Sequence, residues 1–269
     1  MSKRPSTDAP ITVDNIRTFI DEQADFGFEM RVLRALREFG LTCEHSGTYS
    51  DPVEQKIREF DIRAQIQVAN RNIALAIECK NLRPTSALLV SAVGRQPHEA
   101  FHDELLVREF THSQNSVQLA RRNGAESIYA VGDMVGKKID QVSLDSNNQP
   151  KGDDRETFGR WLQAVNSTRD LIFKATAPEV NISKERVIVP VLVVPTNSLW
   201  QVDYDQAGSI TAGPQLIIRS SRFLNHSWQV PMMRGYAGET VGYTLSHLEI
   251  VTFGGLHEFV DSWRTHFSR

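Results

Sequence analysis

The stretch Ile73-Ala74-Leu75-Ala76-Ile77-Glu78-Cys79-Lys80 decides how the chain is read. Its alternation is that of a β-strand, in which successive side chains point to opposite faces. Ile73, Leu75, Ile77 and Cys79 share one face, greasy enough to lie under a helix. Ala74, Ala76, Glu78 and Lys80 share the other, where two small residues precede a carboxylate and an amine. An unpaired buried charge is costly, so this second face is expected to open on a cleft holding a cation or solvent.

Working outward, Arg58 to Val68 alternates as strictly. Phe60, Ile62, Ala64, Ile66 and Val68 fall on one side, and Asp61, Arg63, Gln65 and Gln67 on the other. Antiparallel pairing through the turn at Asn70-Arg71-Asn72 sets the greasy faces together and puts Asp61 on the side of Glu78 and Lys80. Further upstream, Phe26 to Phe39 reads as a helix stopped by Gly40, with Val32, Leu33, Leu36 and Phe39 as its apolar stripe. Glu29 sits on that stripe, four residues before Leu33 and seven before Leu36. A carboxylate on a packing face needs a reason, and reaching into a metal site would supply one.

Glu29 on a helix, then Asp61, then Glu78-x-Lys80, in that order, resembles the PD-(D/E)XK nuclease superfamily, the restriction-endonuclease-like fold, over about residues 26 to 82. The proline of the first motif is replaced, with Phe60 preceding Asp61. By this resemblance Asp61 and Glu78 ligate Mg²⁺, with Mn²⁺ as a substitute, and the backbone carbonyl of Cys79 is a further metal ligand. Lys80 positions or deprotonates the attacking water, and Glu29 holds a metal-bound water. The implied activity is hydrolysis of phosphodiesters by a DNA endonuclease in a restriction, defence or repair setting. The chemistry agrees: hard cations on carboxylates relieve phosphoryl charge and make water nucleophilic near neutral pH, and a neighbouring lysine can orient that water. A Glu-x-Lys triplet alone is common on solvated strands; Asp61 on a matching face and Glu29 on a buried helical face give it weight.

Composition bounds the alternatives. The chain has 269 residues, 40% hydrophobic and 23% charged, as expected of a soluble globular protein with a substantial core. It carries no apolar run of membrane-span length and no signal-type N-terminus. Cys43 and Cys79 make neither a disulfide framework nor a zinc cluster, which points to a reducing cytoplasm. A net charge of −3 is no electrostatic footprint for nucleic acid, although Arg31, Arg34 and Arg37 on the first helix and Lys56, Arg58 and Arg63 near Asp61 supply local positive charge. Because double-strand cutting in this fold uses two sites, a homodimer is the expected assembly.

The expected architecture is α/β: a mixed central sheet flanked by helices, with a restriction-endonuclease-like core, an insertion at about 83–150 and a β-rich C-terminal extension. Residues 1–14 are expected as a disordered tail and 15–269 as one domain. His98 to Phe110 and Gln114 to Arg122 read as helices, and Leu144 to Asp154 as a loop. Arg155 to Ala175 reads as a helix feeding the buried strand Val187 to Val194, where Pro190 suggests an edge or bulge. Trp200 to Tyr204, Leu216 to Phe223 and His247 to Phe253 read as strands, and Leu256 to Phe267 as a closing helix.

Two other functional classes compete. A retired member of the fold would bind nucleic acid without cutting, which the intact acid and lysine set argues against. His98-Glu99-Ala100-Phe101-His102 is a literal H-E-x-x-H, the pattern of a zinc metalloprotease helix. Pro97 directly before it, Asp103-Glu104 directly after it and the lack of a matching third ligand favour an ordinary surface segment.

Overall fold

Alternating and 3.6-period patterns translate into strands and helices along most of the chain. The computed structural model describes residues 10–22, 24–51, 55–69, 71–99, 103–110, 114–121, 128–152, 155–176, 185–231 and 240–268. The chain opens with helices α1 (Val13–Glu22) and α2 (Phe26–Glu38), then strands β1 (Thr42–Ser50), β2 (Ile57–Val68) and β3 (Arg71–Cys79). Next come β4 (Ser86–Gly94), β5 (Asp103–Phe110), β6 (Gln114–Arg121), β7 (Met134–Leu144) and the short β8 (Pro150–Gly152). Helix α3 (Arg155–Thr176) leads to β9 (Glu185–Val194), β10 (Leu199–Tyr204), β11 (Ile210–Leu216), β12 (Arg219–Pro231) and β13 (Thr240–Thr252). A 3-10 turn and helix α4 (Leu256–Phe267) close the described chain.

The described strands form one mixed sheet of thirteen, running β1-β2-β3-β9-β13-β12-β7-β4-β10-β11, with β5, β6 and β8 attached beside this path. The architecture is therefore α/β, with a mixed sheet carrying helices. β1, β2 and β3 are antiparallel neighbours, and β3, β9 and β13 run parallel. The stretch 83–150 and the C-terminal strands both extend this same sheet.

The face assignment follows the period of two. Ile62 pairs with Ile77, Ala64 with Leu75 and Ile66 with Ile73. These residues and Val187, Val189, Val191 and Val193 bury under Val32, Leu33 and Leu36 of α2 and Phe259, Val260 and Trp263 of α4. The opposite face packs on α3, where Ile188 and the β13 residues Tyr243 and Leu245 meet Val165 and Ile172. Phe60 departs from the pattern. Its ring lies 4.1 Å from the Arg63 guanidinium, and Arg63 is bound to Ser167 and Asp170 of α3. Across the ladder at this point, Ser46 of β1 takes a left-handed φ of 53°, a conformation that interrupts regular alternation.

Pro190 corrects an expectation. β9 is central, not an edge, and Pro190 pairs with Ala76 within an unbroken β3 ladder. The Lys80 amide donates to the Val193 carbonyl at 2.9 Å, so alternate residues of β9 turn their polar groups to β3 and Pro190 turns its nitrogen the other way. On that side β5 pairs only with Glu185 and Arg186, and β13 begins pairing at Val191. The missing N–H thus falls in a gap between partners, where no ladder bond is lost.

Other local readings change. His98 to Phe110 and Gln114 to Arg122 do not form the expected helices; β5 and β6 are an antiparallel hairpin, with Leu105 opposite Leu119 and Val107 opposite Val117. Short mixed apolar runs fit both periods, and pairing of β5 with Glu185 and Arg186 at the start of β9 selects the strand. Met134 to Leu144 is a strand without strict alternation in its sequence, recruited between β4 and β12. The expected loop Leu144 to Asp154 contains β8, whose Pro150 pairs with Leu144. Leu216 to Phe223 is broken between β11 and β12 rather than continuous. Residues 13 and 14 of the expected tail begin α1, while 1–9 lie outside the described residues.

Candidate functional site

The β2–β3 ladder ends at Ile62 and Ile77. One step beyond, Asp61 Oδ2 accepts a hydrogen bond from the Cys79 amide at 2.7 Å. A side-chain oxygen thus takes the donor that a strand carbonyl would otherwise satisfy, and Asp61 is held on the side of Glu78. In extended backbone the N–H and C=O of one residue point to the same edge, so the Cys79 carbonyl is directed toward the Asp61 side as well. Glu78 is wholly buried, and neither of its carboxylate oxygens has a hydrogen-bond donor in good geometry. Asp61 and Lys80 are buried too.

The second face of β3 does not open on a solvent cleft at Glu78: α3 covers it and brings Arg160. Its Nη1 stands 4.0 Å from Asp61 Oδ1 and 3.9 Å from Glu78 Oε2. Its Nη2 donates to Asp25 Oδ2 at 2.5 Å. Asp25 is at the N-cap of α2, yet its side chain does not cap that helix. It accepts instead from the Asn81 amide at 2.8 Å and stands 3.9 Å from Lys80 Nζ. Asp25 and Arg160 are the site residues that the sequence pattern did not single out. An aspartate before a helix reads as a cap, and one arginine on a helix reads as solvated surface.

Glu29 Oε2 lies 3.5 Å from His45 Nε2 of β1, and its carboxyl feels the charge of Asp61. Burial, then the charges of Asp61 and Asp25, push its pKa up to about 7. Burial also raises Asp61, with the Cys79 amide and then Arg160 acting against it. Glu78 is driven well above the carboxylate range by burial and then by the Asp61 charge, while Arg160 opposes the rise. Without metal the acids thus resist simultaneous ionisation.

The donor set bears on metal binding. Among the described residues, no three His, Cys, Asp or Glu side chains converge closely enough to hold a metal ion. The Glu78 carboxylate beside Asp61, buried with no hydrogen bond of good geometry, nevertheless fits a hard cation, since poorly satisfied buried carboxylates favour positive charge. Asp61, Glu78 and the Cys79 carbonyl would hold it.

Of the H-E-x-x-H segment, only His98 and Glu99 are among the described residues, and neither is helical. His98 is in a turn, Ala100 to His102 lie outside the described residues, and β5 starts at Asp103. Glu99 is engaged by Lys137 and by the Gln96 amide.

A second buried polar cluster occupies the other face of the sheet. Glu78 pairs with Leu192 and Glu249 with the adjacent Val191, so their side chains point oppositely. Glu249 accepts from Tyr129 Oη at 2.7 Å and from Arg219 Nε at 3.0 Å, and Arg219 Nη1 donates to Ser262 at 2.6 Å. Tyr129, Arg219 and Ser262 line a cavity of 470 Å³, away from Asp61.

No helix among the described residues is long and apolar enough to cross a membrane. Compared with protein-family models, with curated proteins and with solved structures, the chain has no match.

Proposed function

We propose that the protein is a divalent-metal-dependent phosphodiesterase, acting as a DNA endonuclease with a restriction-endonuclease-like core. The observation that carries this reading is the Glu78 carboxylate, wholly buried beside Asp61 with no hydrogen bond of good geometry to either oxygen. Mg²⁺ bound to Asp61, Glu78 and the Cys79 carbonyl would supply positive charge to a phosphoryl group and lower the pKa of water. Lys80, whose ammonium stands 3.9 Å from Asp25, would orient the attacking water. Glu29, whose pKa of about 7 suits proton exchange near neutrality, would take up or return a proton at the rim.

A catalytically retired binding protein is the second reading. It is favoured by the Arg160 guanidinium already facing both acids.

The test is single-turnover cleavage of labelled duplex DNA, single-stranded DNA and RNA, with Mg²⁺ or Mn²⁺. Lys80→Ala should slow cleavage by on the order of a hundredfold or more while Mn²⁺ binding persists. Equal cleavage by wild type and Lys80→Ala would remove Lys80 from the chemistry. Nucleic-acid binding with no cleavage under any metal would select the retired reading.

A further inference from the structure

Arg160 differs from an ordinary salt-bridge partner. Hydrogen-bonded carboxylate–guanidinium pairs lie no farther apart than about 2.9 Å, and among the described residues Arg160 makes such a bond only with Asp25. To Asp61 and Glu78 it is nearly equidistant, at 4.0 and 3.9 Å, and bonded to neither. It sets a positive charge against an acid pair whose inner member makes no hydrogen bond of good geometry. The Glu78 side chain is 1% exposed and that of Arg160 28%, so the guanidinium has a route outward that the acid lacks.

We propose that Arg160 is the resident counter-cation of the Asp61–Glu78 pair, and that a divalent cation binds there in exchange for it. This rests on the metal-binding reading of the same site. Two cations cannot neutralise one pair of oxygens from the same region without mutual repulsion, so the guanidinium yields. Asp25 makes the exchange reversible: its bond to Nη2 holds the side chain at the rim, from which it returns when the metal leaves. The exchange also couples to Lys80, because Asp25 is its neighbour as well. Metal-free protein is thereby kept folded despite two buried acids.

The experiment is Mn²⁺ titration by calorimetry on the full chain, stripped with chelator and free of nucleic acid. It compares wild type, Arg160→Met and the double variant Arg160→Met with Glu78→Gln. Arg160→Met should bind Mn²⁺ about tenfold more tightly than wild type, and Glu78→Gln should abolish the gain. Without metal, Arg160→Met should melt below wild type, and saturating Mn²⁺ should close that gap. If Arg160→Met does not fold, the Arg160 guanidinium ¹⁵N resonance of wild type, assigned with Arg160→Lys, should shift on adding Mg²⁺. A resonance that stays in place overturns the exchange. Equal, Glu78-dependent affinity in wild type and Arg160→Met also overturns it but leaves the metal site standing. No Mn²⁺ uptake by either protein overturns both readings.

Discussion

Asp61 accepts a 2.7 Å hydrogen bond from the Cys79 amide where the β2–β3 ladder stops. The carboxylate therefore finishes a strand and faces a second buried acid at once. Replacing it should separate these roles. Asp61→Asn keeps an acceptor for the amide and removes acid–acid repulsion, so without metal it should be at least as stable as wild type. Asp61→Ala leaves a buried N–H unsatisfied and should be less stable than Asp61→Asn by about 1–3 kcal/mol. Both should lose cleavage. Urea unfolding of the two variants measures the difference; equal stability would mean that the Cys79 bond contributes nothing.

Asp25 should behave as a positioning residue. Its carboxylate joins Arg160, the Asn81 amide and, at longer range, Lys80. Asp25→Ala should cost about 2–4 kcal/mol, since hydrogen bonds to charged groups are the stronger kind. Cleavage kinetics should show a fall in kcat that exceeds any change in KM. A change confined to KM would place Asp25 in substrate binding instead.

Stability without metal should fall as pH rises from about 4.5 to about 7, because burial raises Glu29 between those values. In that window the unfolded chain releases the proton first and the native state binds more protons, so raising pH favours unfolding. The stabilising contribution is complete below the lower value and gone above the upper one. Partial solvation of the carboxyl reduces its size to about 1–2 kcal/mol. Asp61 and Glu78 are shifted in the same direction and steepen the fall. Thermal melts across this range should show a shallower slope for Glu29→Gln, and an unchanged slope would reject the assignment.

On the other face of the sheet, Arg219 holds the buried Glu249. Arg219→Ala should cost about 3–5 kcal/mol by stranding that charge. Adding Glu249→Leu should recover a large part of the loss. Chemical denaturation of the single and double variants tests the coupling, and strictly additive losses would show that the pair is not a unit.

Much of the core was legible in the sequence. Ile73, Leu75 and Ile77 bury against α2 and α4, and Arg155 to Ala175 is helical as its spacing implies. Alternation is a local property, set wherever each residue of a strand turns its side chain opposite to the last. The hairpin of β5 and β6 was not legible, because its runs suit either period until the start of β9 offers β5 a partner. Met134 to Leu144 became a strand through neighbours distant in the chain.

The sequence by itself determined that Glu78 and Lys80 share a face of their strand, that Asp61 belongs to the matching face of the strand before it, and that Glu29 projects from a packing stripe. Tertiary structure alone decided what stands against those acids. Arg160 and Asp25 meet across 135 positions, through a helix laid over the sheet and a loop that frees a cap residue from capping. No local period encodes that meeting. It follows from where α3 crosses β3, and from the cost of leaving two buried carboxylates without a positive charge.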